Sequence, residues 1–152
     1  MDSLVAQKYL RSLSMKIAFV TLILVSLPTS ASAAMRVNLL CTIDNFLPEG
    51  AYTVDELKNW ISEQLRIEIY DDNRVIFYLA SGFRIDGKVE RENSSKIAFD
   101  GVRRLANDDG QITYATYSLE WFKQNNRIFM DVAPEGSSFI GIAKGKCEIL
   151  SG

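Results

Sequence analysis

Two cysteines, Cys41 and Cys147, are the residues whose type and spacing point most directly to a chemistry. An even pair of cysteines predicts one disulfide bond if the chain is exported, as its N-terminus indicates below. The absence of a Cys-x-x-Cys pair argues against a thiol oxidoreductase. A bridge requires α-carbons within about 7 Å of each other, so we expect the first and last strands to be neighbours or to face each other across the core. Two free, buried thiols are the alternative.

The chain contains no histidine. Ser-His-Asp and Cys-His catalysis are therefore excluded, and the commonest zinc ligand is missing. If both cysteines are oxidised, a structural zinc site also has no thiolate ligands. No glycine-rich phosphate loop precedes a helix. We therefore predict no catalytic residues, no metal site and no cofactor.

Adjacent carboxylates are the remaining candidates for catalysis. Glycosidases hold two carboxyl groups across a cleft, about 5 to 9.5 Å apart. The acidic pairs of this chain instead lie next to each other in expected turns, and we interpret them as solvated turn charge. They are Asp71 with Asp72, Asp108 with Asp109, and Glu90 with Glu92.

The N-terminus has the organisation of a secretory signal peptide. Lys16 precedes an apolar run over residues 17–27, and Ala31-Ser32-Ala33 stands before Ala34 as a small-x-small cleavage site. We predict a signal peptide over residues 1–33, with Met15 as an alternative start. A retained membrane anchor is the other interpretation, but a run of about 11 residues is shorter than the roughly 18 that a spanning helix needs. The predicted location is the bacterial periplasm or the extracellular space, where a disulfide persists.

Cleavage leaves residues 34–152, which is 119 of the 152 residues and suits one domain. This part holds 14 Lys+Arg and 18 Asp+Glu, a net charge of −4. A mildly acidic domain is poorly suited to phosphate backbones, so we expect no nucleic-acid partner. Arg103-Arg104 is the only adjacent basic pair, and we assign it to a solvated turn. We expect no transmembrane anchor after cleavage.

One short helix is expected, beginning at Thr53. Thr53 and Glu56 fit a capping box, in which each side chain covers a free backbone N–H at the start of the helix. Apolar residues then recur at helical spacing and form a stripe that must lie on a sheet. The stripe consists of Val54, Leu57, Trp60, Ile61 and Leu65.

Alternation of apolar and polar residues predicts strands through the rest of the domain. The runs are 36–43, 65–70, 75–80, 83–91, 96–100, 111–122, 127–132 and 139–150, of which 83–91 is the weakest. We therefore expect an α+β fold that is mostly β, with one antiparallel sheet of about seven strands, curled or barrel-like. The helix, in the N-terminal half, packs on this sheet. An open sheet and a closed barrel both remain compatible with the pattern.

Two expected hairpins resemble each other. In each, an asparagine, Asn73 or Asn126, stands just before the arginine that begins the returning strand. Asparagine tolerates the left-handed backbone conformation that hairpin loops often require. Shared turn physics explains the likeness, and a duplicated unit is the alternative.

Aromatic side chains are concentrated in and beside these hairpins. Some of them must point outward, and tyrosine and tryptophan are favoured at interfaces. Cross-strand packing within a small sheet is the alternative explanation. The candidate interaction surface consists of Tyr70, Tyr78, Tyr114, Tyr117, Trp121 and Phe122.

These features favour a small, exported, non-catalytic binding module, for example an inhibitor of a secreted hydrolase, with a protein or an envelope component as its partner. One alternative is an envelope enzyme that uses carboxylates or tyrosine. Another is a structural subunit of an envelope assembly that joins its neighbours through strand edges.

Overall fold

A computed structural model describes residues 32–106, 109–136 and 139–150. The predicted signal peptide lies almost entirely outside these residues. Over the described ranges the chain forms eight strands and a helix, which we number in chain order. They are β1 (Met35–Pro48), α1 (Val54–Trp60), β2 (Gln64–Tyr70), β3 (Arg74–Leu79), β4 (Arg84–Glu92), β5 (Lys96–Ala106), β6 (Ile112–Phe122), β7 (Arg127–Pro134) and β8 (Gly141–Ile149).

The strands form a closed antiparallel barrel in which each strand pairs with the next along the chain. The ring closes where β8 returns to pair with β1. The mostly-β single sheet with one helix is thus confirmed, while the expected count of about seven strands becomes eight. The weakest run, 83–91, is a full barrel strand, and its period is disturbed by an irregularity between Val89 and Arg91.

The predicted disulfide is present and lies in the closing seam. Cys41 of β1 stands directly opposite Cys147 of β8 in the register, and their sulfur atoms are bonded. The first and last strands are therefore neighbours, which is one of the two arrangements that the sequence predicted. The bridge spans a sequence separation of 106 residues, so it joins the two ends of the domain.

β1 is longer than predicted because it contains a bulge. The strand continues from Ile43 through Pro48 along β8, with a register shift between Ile43 and Asn45. An extra residue at a bulge reverses which side chains point inward and bends the strand. The alternation in the sequence therefore breaks at this point, although the strand does not end.

The interior of the barrel is filled by side chains, as expected for eight strands. The inward residues alternate along the strands, apart from the irregularities in β1 and β4, and form one continuous apolar core. Its largest fully buried members are Tyr117, Phe77, Phe99, Leu39, Leu57, Ile61, Leu65, Ile67, Ile69, Ile85, Ile97 and Leu119.

The helix begins as predicted, and it covers one end of the barrel. The Thr53 side chain accepts the backbone N–H of Glu56, and the Glu56 carboxylate accepts the N–H of Thr53. Leu57 and Ile61 are fully buried, whereas Val54, predicted to lie on the same stripe, is exposed. A Cβ at Gly141 would approach the backbone carbonyl of Leu47 and the Leu57 side chain to 2.7 Å each, so β8 needs a glycine where it passes β1 beside the helix. We call this the helix end of the barrel.

Both hairpin asparagines adopt the left-handed backbone conformation that the sequence suggested. Asn73 and Asn126 have φ angles of 66° and 54°, and they are the positive-φ non-glycine residues among those described. Both lie at the opposite end of the barrel from α1, in the β2–β3 and β6–β7 turns. The left-handed backbone explains why each turn carries an asparagine immediately before the returning arginine.

We predict that removing the disulfide with the double substitution Cys41→Ala and Cys147→Ala lowers the free energy of unfolding by about 2–5 kcal/mol. The bridge closes a loop of about a hundred residues, so its loss frees much of the unfolded chain. Equilibrium urea unfolding of the mature domain measures the change. Thr42→Ala, next to Cys41 in the same seam, is the control and should change stability little. Equal stability of the wild type and the double variant would contradict this role.

Candidate interaction surface

The six aromatic residues of the predicted surface lie in different parts of the barrel. Tyr117 and Trp121 point into the core and are 0% and 4% exposed, so they are not part of an outer surface. The period of two in β6 places them inward together with Leu119 and Ala115. The Tyr117 hydroxyl donates a hydrogen bond to the carbonyl of Trp60 (3.2 Å) and so ties the barrel wall to the helix.

Tyr70 and Tyr78 lie half-buried on the outer wall of β2 and β3, around one carboxylate. Both hydroxyls donate to Oε2 of Glu68, at 2.8 and 3.3 Å. Glu68 is only 8% exposed, and its other oxygen lies 2.8 Å from the Arg66 guanidinium. The hydrogen bond to Glu68 raises the pKa of Tyr70. This cluster therefore keeps the Tyr70 phenol protonated and held in place.

Phe122 lies half-buried at the end of the barrel opposite α1. Its ring packs against Phe129 of β7 at a centroid distance of 5.2 Å, and the Lys96 ammonium lies 5.7 Å from its centroid. The contact is a cross-strand pair of the type that stabilises sheets. Packing thus accounts for Phe122 without a partner molecule.

Tyr114 belongs to a two-stranded ribbon that projects beyond the barrel at the helix end. Pairing of β4 with β5 stops at Asp86 opposite Val102, and pairing of β6 with β7 stops at Ala115 opposite Pro134. β5 and β6 nevertheless continue to pair as far as Ala106 opposite Ile112. We call residues 103–106 and 112–114 the β5–β6 ribbon. Residues 103–106 of β5 correspond to a strand length of about 14 Å, of which the part beyond Arg84 of β4 extends past the neighbouring strand.

The outer face of this ribbon and its base carries large apolar side chains. Val102 is 52% exposed, Ile112 is 46% exposed and Tyr114 is 44% exposed. Arg104 stands directly opposite Tyr114 on the same face. The arrangement is an apolar surface with a cation beside it, which is a composition common at protein interfaces.

The sequence analysis placed the basic pair in a turn, and this prediction is wrong because both arginines lie in β5. Arg103 and Arg104 are consecutive residues of β5, so they point to opposite faces of the ribbon. The Arg103 guanidinium stacks on the Phe83 ring, 3.6 Å from its centroid. Burial raises the pKa of the Tyr117 hydroxyl, and Arg103 opposes this rise through a hydrogen bond and its charge. Arg103 therefore fixes the base of the ribbon, while Arg104 faces outward.

A second surface feature is an acidic depression of about 390 Å³ on the outer wall of β4 to β7. Asp131 lies half-buried within it. Burial raises the pKa of Asp131, and the negative charges of Asp100 and Glu120 raise it further. The depression is lined by Glu90, Arg91, Ala98, Asp100, Ser118, Glu120, Phe129 and Asp131.

The acidic residues noted in the sequence behave in different ways. Glu90 lines the depression, whereas Glu92 makes ion pairs of 2.7 Å with both Arg36 and Lys123. Burial acts to raise the pKa of Glu92, but these two pairs outweigh it and the net pKa is lowered. Asp72 accepts the backbone N–H of Arg74 in the β2–β3 turn, as turn charge should. Asp108 lies outside the described residues.

Within the described residues, no group of three or more acidic, histidine or cysteine side chains is arranged to hold a metal ion. Over the same part of the chain, no helix combines the length and the hydrophobicity needed to cross a lipid bilayer. The disulfide bond is compatible with a secreted protein.

Comparison with known proteins returned no match: no family model, no curated protein and no solved structure is significantly similar to this chain.

We predict that Asp131→Asn raises the free energy of unfolding at pH 7 by about 0.5 kcal/mol. A carboxyl group whose pKa is raised in the folded state contributes stability below its unfolded pKa, ordinarily 3.8, and loses it as the pH rises through the folded pKa. The amide removes the repulsion from Asp100 and Glu120. Urea unfolding at pH 4 and pH 7 measures the effect, which should be larger at pH 7.

Glu92→Gln is the matched control, and its effect should have the opposite sign. The lowered pKa of Glu92 contributes stability above the ordinary value of 4.5, and this contribution is lost as the pH falls through the folded pKa. The amide should therefore destabilise the protein at pH 7. Destabilisation by Asp131→Asn at pH 7 would show that Asp131 makes a favourable interaction that outweighs the repulsion.

Proposed function

We propose that this chain is a small, exported, non-catalytic binding module whose partner is a protein, and that it binds through the β5–β6 ribbon. The single observation that carries the proposal is the exposure of Val102, Ile112 and Tyr114, each 44% or more, on an element that projects from the barrel. Exposed apolar surface costs free energy in water. A partner that covers this surface would remove that cost.

The distribution of exposed apolar residues along the barrel also supports the helix end as the end that binds the partner. Of the ten large apolar side chains exposed in the described residues, seven lie at the helix end. Three of them belong to the ribbon and its base, and Phe83 stands next to it in the β3–β4 loop. The other three flank the start of the helix: Leu47, Tyr52 and Val54. Isolated exposed apolar residues need no explanation, but their concentration at one end does.

A protein partner fits the surface better than the other macromolecules. The domain without its predicted signal peptide has a net charge of −4, which disfavours nucleic acid and anionic lipid surfaces alike. A projecting ribbon can enter a cleft, as the binding element of an enzyme inhibitor does. An inhibitor of a secreted hydrolase is therefore the kind of binding module that this shape fits best.

The two alternatives have weaker support. A carboxylate-dependent enzyme would use the acidic depression, in which Asp131 has a raised pKa and Asp100 lies nearby; these groups lie on an open outer wall. A tyrosine-dependent enzyme needs an ionisable phenol, whereas the hydrogen bond to Glu68 raises the pKa of Tyr70. Assembly through strand edges is disfavoured along the barrel wall, where each described strand has a neighbour on both sides.

We predict that the double substitution Ile112→Asp and Tyr114→Asp abolishes partner capture without unfolding the barrel. Charges on this face oppose burial in an apolar interface. The measurement is chemical crosslinking of the exported protein in the native organism, followed by mass spectrometry of the captured protein and a direct binding assay with it. Affinity should fall at least ten-fold, while the unfolding curve should be little changed.

Leu40→Asp is the control for this experiment. Leu40 is 39% exposed on the outer wall of β1, so the substitution introduces the same charge on an exposed strand position away from the ribbon. It should leave capture intact. A partner that binds both variants equally well, or one that is lost only with Leu40→Asp, would refute the ribbon as the binding element.

A further inference from the structure

We propose that the β5–β6 ribbon binds its partner by strand addition, and that the free edge of β5 at Arg104 and Ala106 takes up an extended segment of the partner protein. This inference rests on the proposed function and specifies how the ribbon would recognise a chain. An extended peptide is the natural complement of an unpaired strand edge, because it supplies the missing backbone donors and acceptors.

The two edges of the ribbon differ in their hydrogen bonding. On the β6 edge, the backbone N–H of Glu135 donates to the carbonyl of Tyr114 (2.7 Å), and the N–H of Tyr114 donates to the Glu135 carboxylate (3.2 Å). Both backbone groups of Tyr114 are therefore satisfied from outside the ribbon. On the β5 edge, the last pair with β4 is Val102 opposite Asp86. β4 continues to Arg84, but there it pairs with β3 and not with β5, and no described strand pairs with the β5 edge beyond Val102.

The direction of the unpaired groups follows from the antiparallel register. Opposed residues alternate between pairs that exchange both backbone hydrogen bonds and pairs that exchange none. The backbone groups of Tyr114 point away from β5, so Tyr114 and its partner Arg104 form a pair of the second kind. The N–H and C=O of Arg104 therefore point away from β6. Ala106, two residues further along, points the same way.

A surface depression adjoins this edge. A volume of about 440 Å³ on the outer wall is lined by Arg74, Asp86, Gly87, Lys88, Gly101 and Val102, with Asp100 at its side. Val102 is the last β5 residue paired with β4, so the depression begins where the free edge ends. A strand added along Arg104 and Ala106 could place a side chain of its outer face into this space.

Charge favours another protein over a second copy of this chain. Antiparallel pairing of two β5 edges across a two-fold axis would bring the basic pair, Arg103 and Arg104, of one molecule close to that of the other. Like charges directly opposed across strands are destabilising, and basic residues on edge strands are a known protection against self-pairing. A partner strand that carries Asp or Glu beside Arg104 and apolar residues at alternate positions would satisfy the same edge.

The probe for this test is a phage-displayed library of random linear 12-residue peptides, selected against the mature protein with its disulfide intact. We expect enriched peptides with alternating apolar residues and an acidic residue. Bound peptide should slow amide hydrogen exchange at Arg104 and Ala106 at least ten-fold. Ala106→Pro, which removes one edge donor, should weaken the peptide at least ten-fold, because proline has no N–H to give.

Two further variants separate the backbone from the side chain. Arg104→Ala keeps the edge N–H and should weaken the peptide less than Ala106→Pro does, and Arg104→Glu should turn the selection from acidic to basic peptides. Thr116→Ala, on the same face but paired on both sides, is the control and should bind normally. Unfolding curves confirm that each variant is folded.

Several results would overturn strand addition. The selection would enrich no peptide, or the peptides would bind the Ala106→Pro variant as tightly as the wild type. Equally, bound peptide would slow amide hydrogen exchange elsewhere on the barrel and not at Arg104 and Ala106. Concentration-dependent self-association that Ala106→Pro abolishes would assign the edge to a second copy instead. If strand addition fails while Ile112→Asp with Tyr114→Asp still abolishes capture, the binding module stands and only this binding mode is lost. Failure of both tests would reject the proposed function as well.

Discussion

The structure depends on the pairing of its last strand with its first. When β8 lies along β1, the ring closes and the inward side chains of all the described strands are enclosed together. An open sheet with the same alternation would leave its outermost apolar rows in water, at a cost that grows with the exposed area. The Cys41–Cys147 bond lies within this seam, so the covalent link joins the two ends of the domain, where closing the chain costs a large loss of entropy.

Much of this architecture follows from the sequence, but its closure does not. Period-two alternation identifies which residues of β6, and of β1 as far as Ile43, point inward, because the pleat alone sets that pattern. The same pattern is produced by an open and by a closed sheet, so it cannot show that β8 returns to β1. The cysteines supplied the missing information in part, since a bond between Cys41 and Cys147 brings the two ends of the domain together. The asparagine turns were predictable for a similar local reason.

The ribbon could not be read from the sequence in the same way. Arg103 and Arg104 interrupt the apolar pattern of β5, which made the strand seem to end at Asp100. A signal was nevertheless present, because the predicted strand 111–122 was one of the two longest of the chain, each of twelve residues, and needs a partner of similar length. The ribbon itself depends on where the pairing with β4 and β7 stops, at Asp86 and Pro134. That is a property of neighbouring strands, which no pattern within β5 or β6 contains.

The aromatic residues show why residue type alone did not locate the surface. Tyr117 fills the core, Tyr70 and Tyr78 hold one carboxylate, and Phe122 packs on Phe129. Only Tyr114, of the six, is strongly exposed, and its neighbours on that face are the aliphatic Val102 and Ile112, which an aromatic criterion omits. The pattern that distinguishes the ribbon is exposure combined with incomplete pairing.

The closed barrel and the open ribbon are consequences of the same pairing rule. Along the wall, every described strand is flanked on both sides, so backbone donors and acceptors are consumed within the sheet. Past Val102 the chain leaves the ring, and only one of its two new edges is covered, by Glu135. Leu105 packs against the core from the inner face of the ribbon, whereas the backbone groups of Arg104 and Ala106 face away from β6, so the outer edge of β5 can be kept available while the inner face stays anchored. A rigid base that holds an unsatisfied edge in the extended conformation lowers the entropy cost of adding a strand, and this is what makes the ribbon suited to recognising a chain.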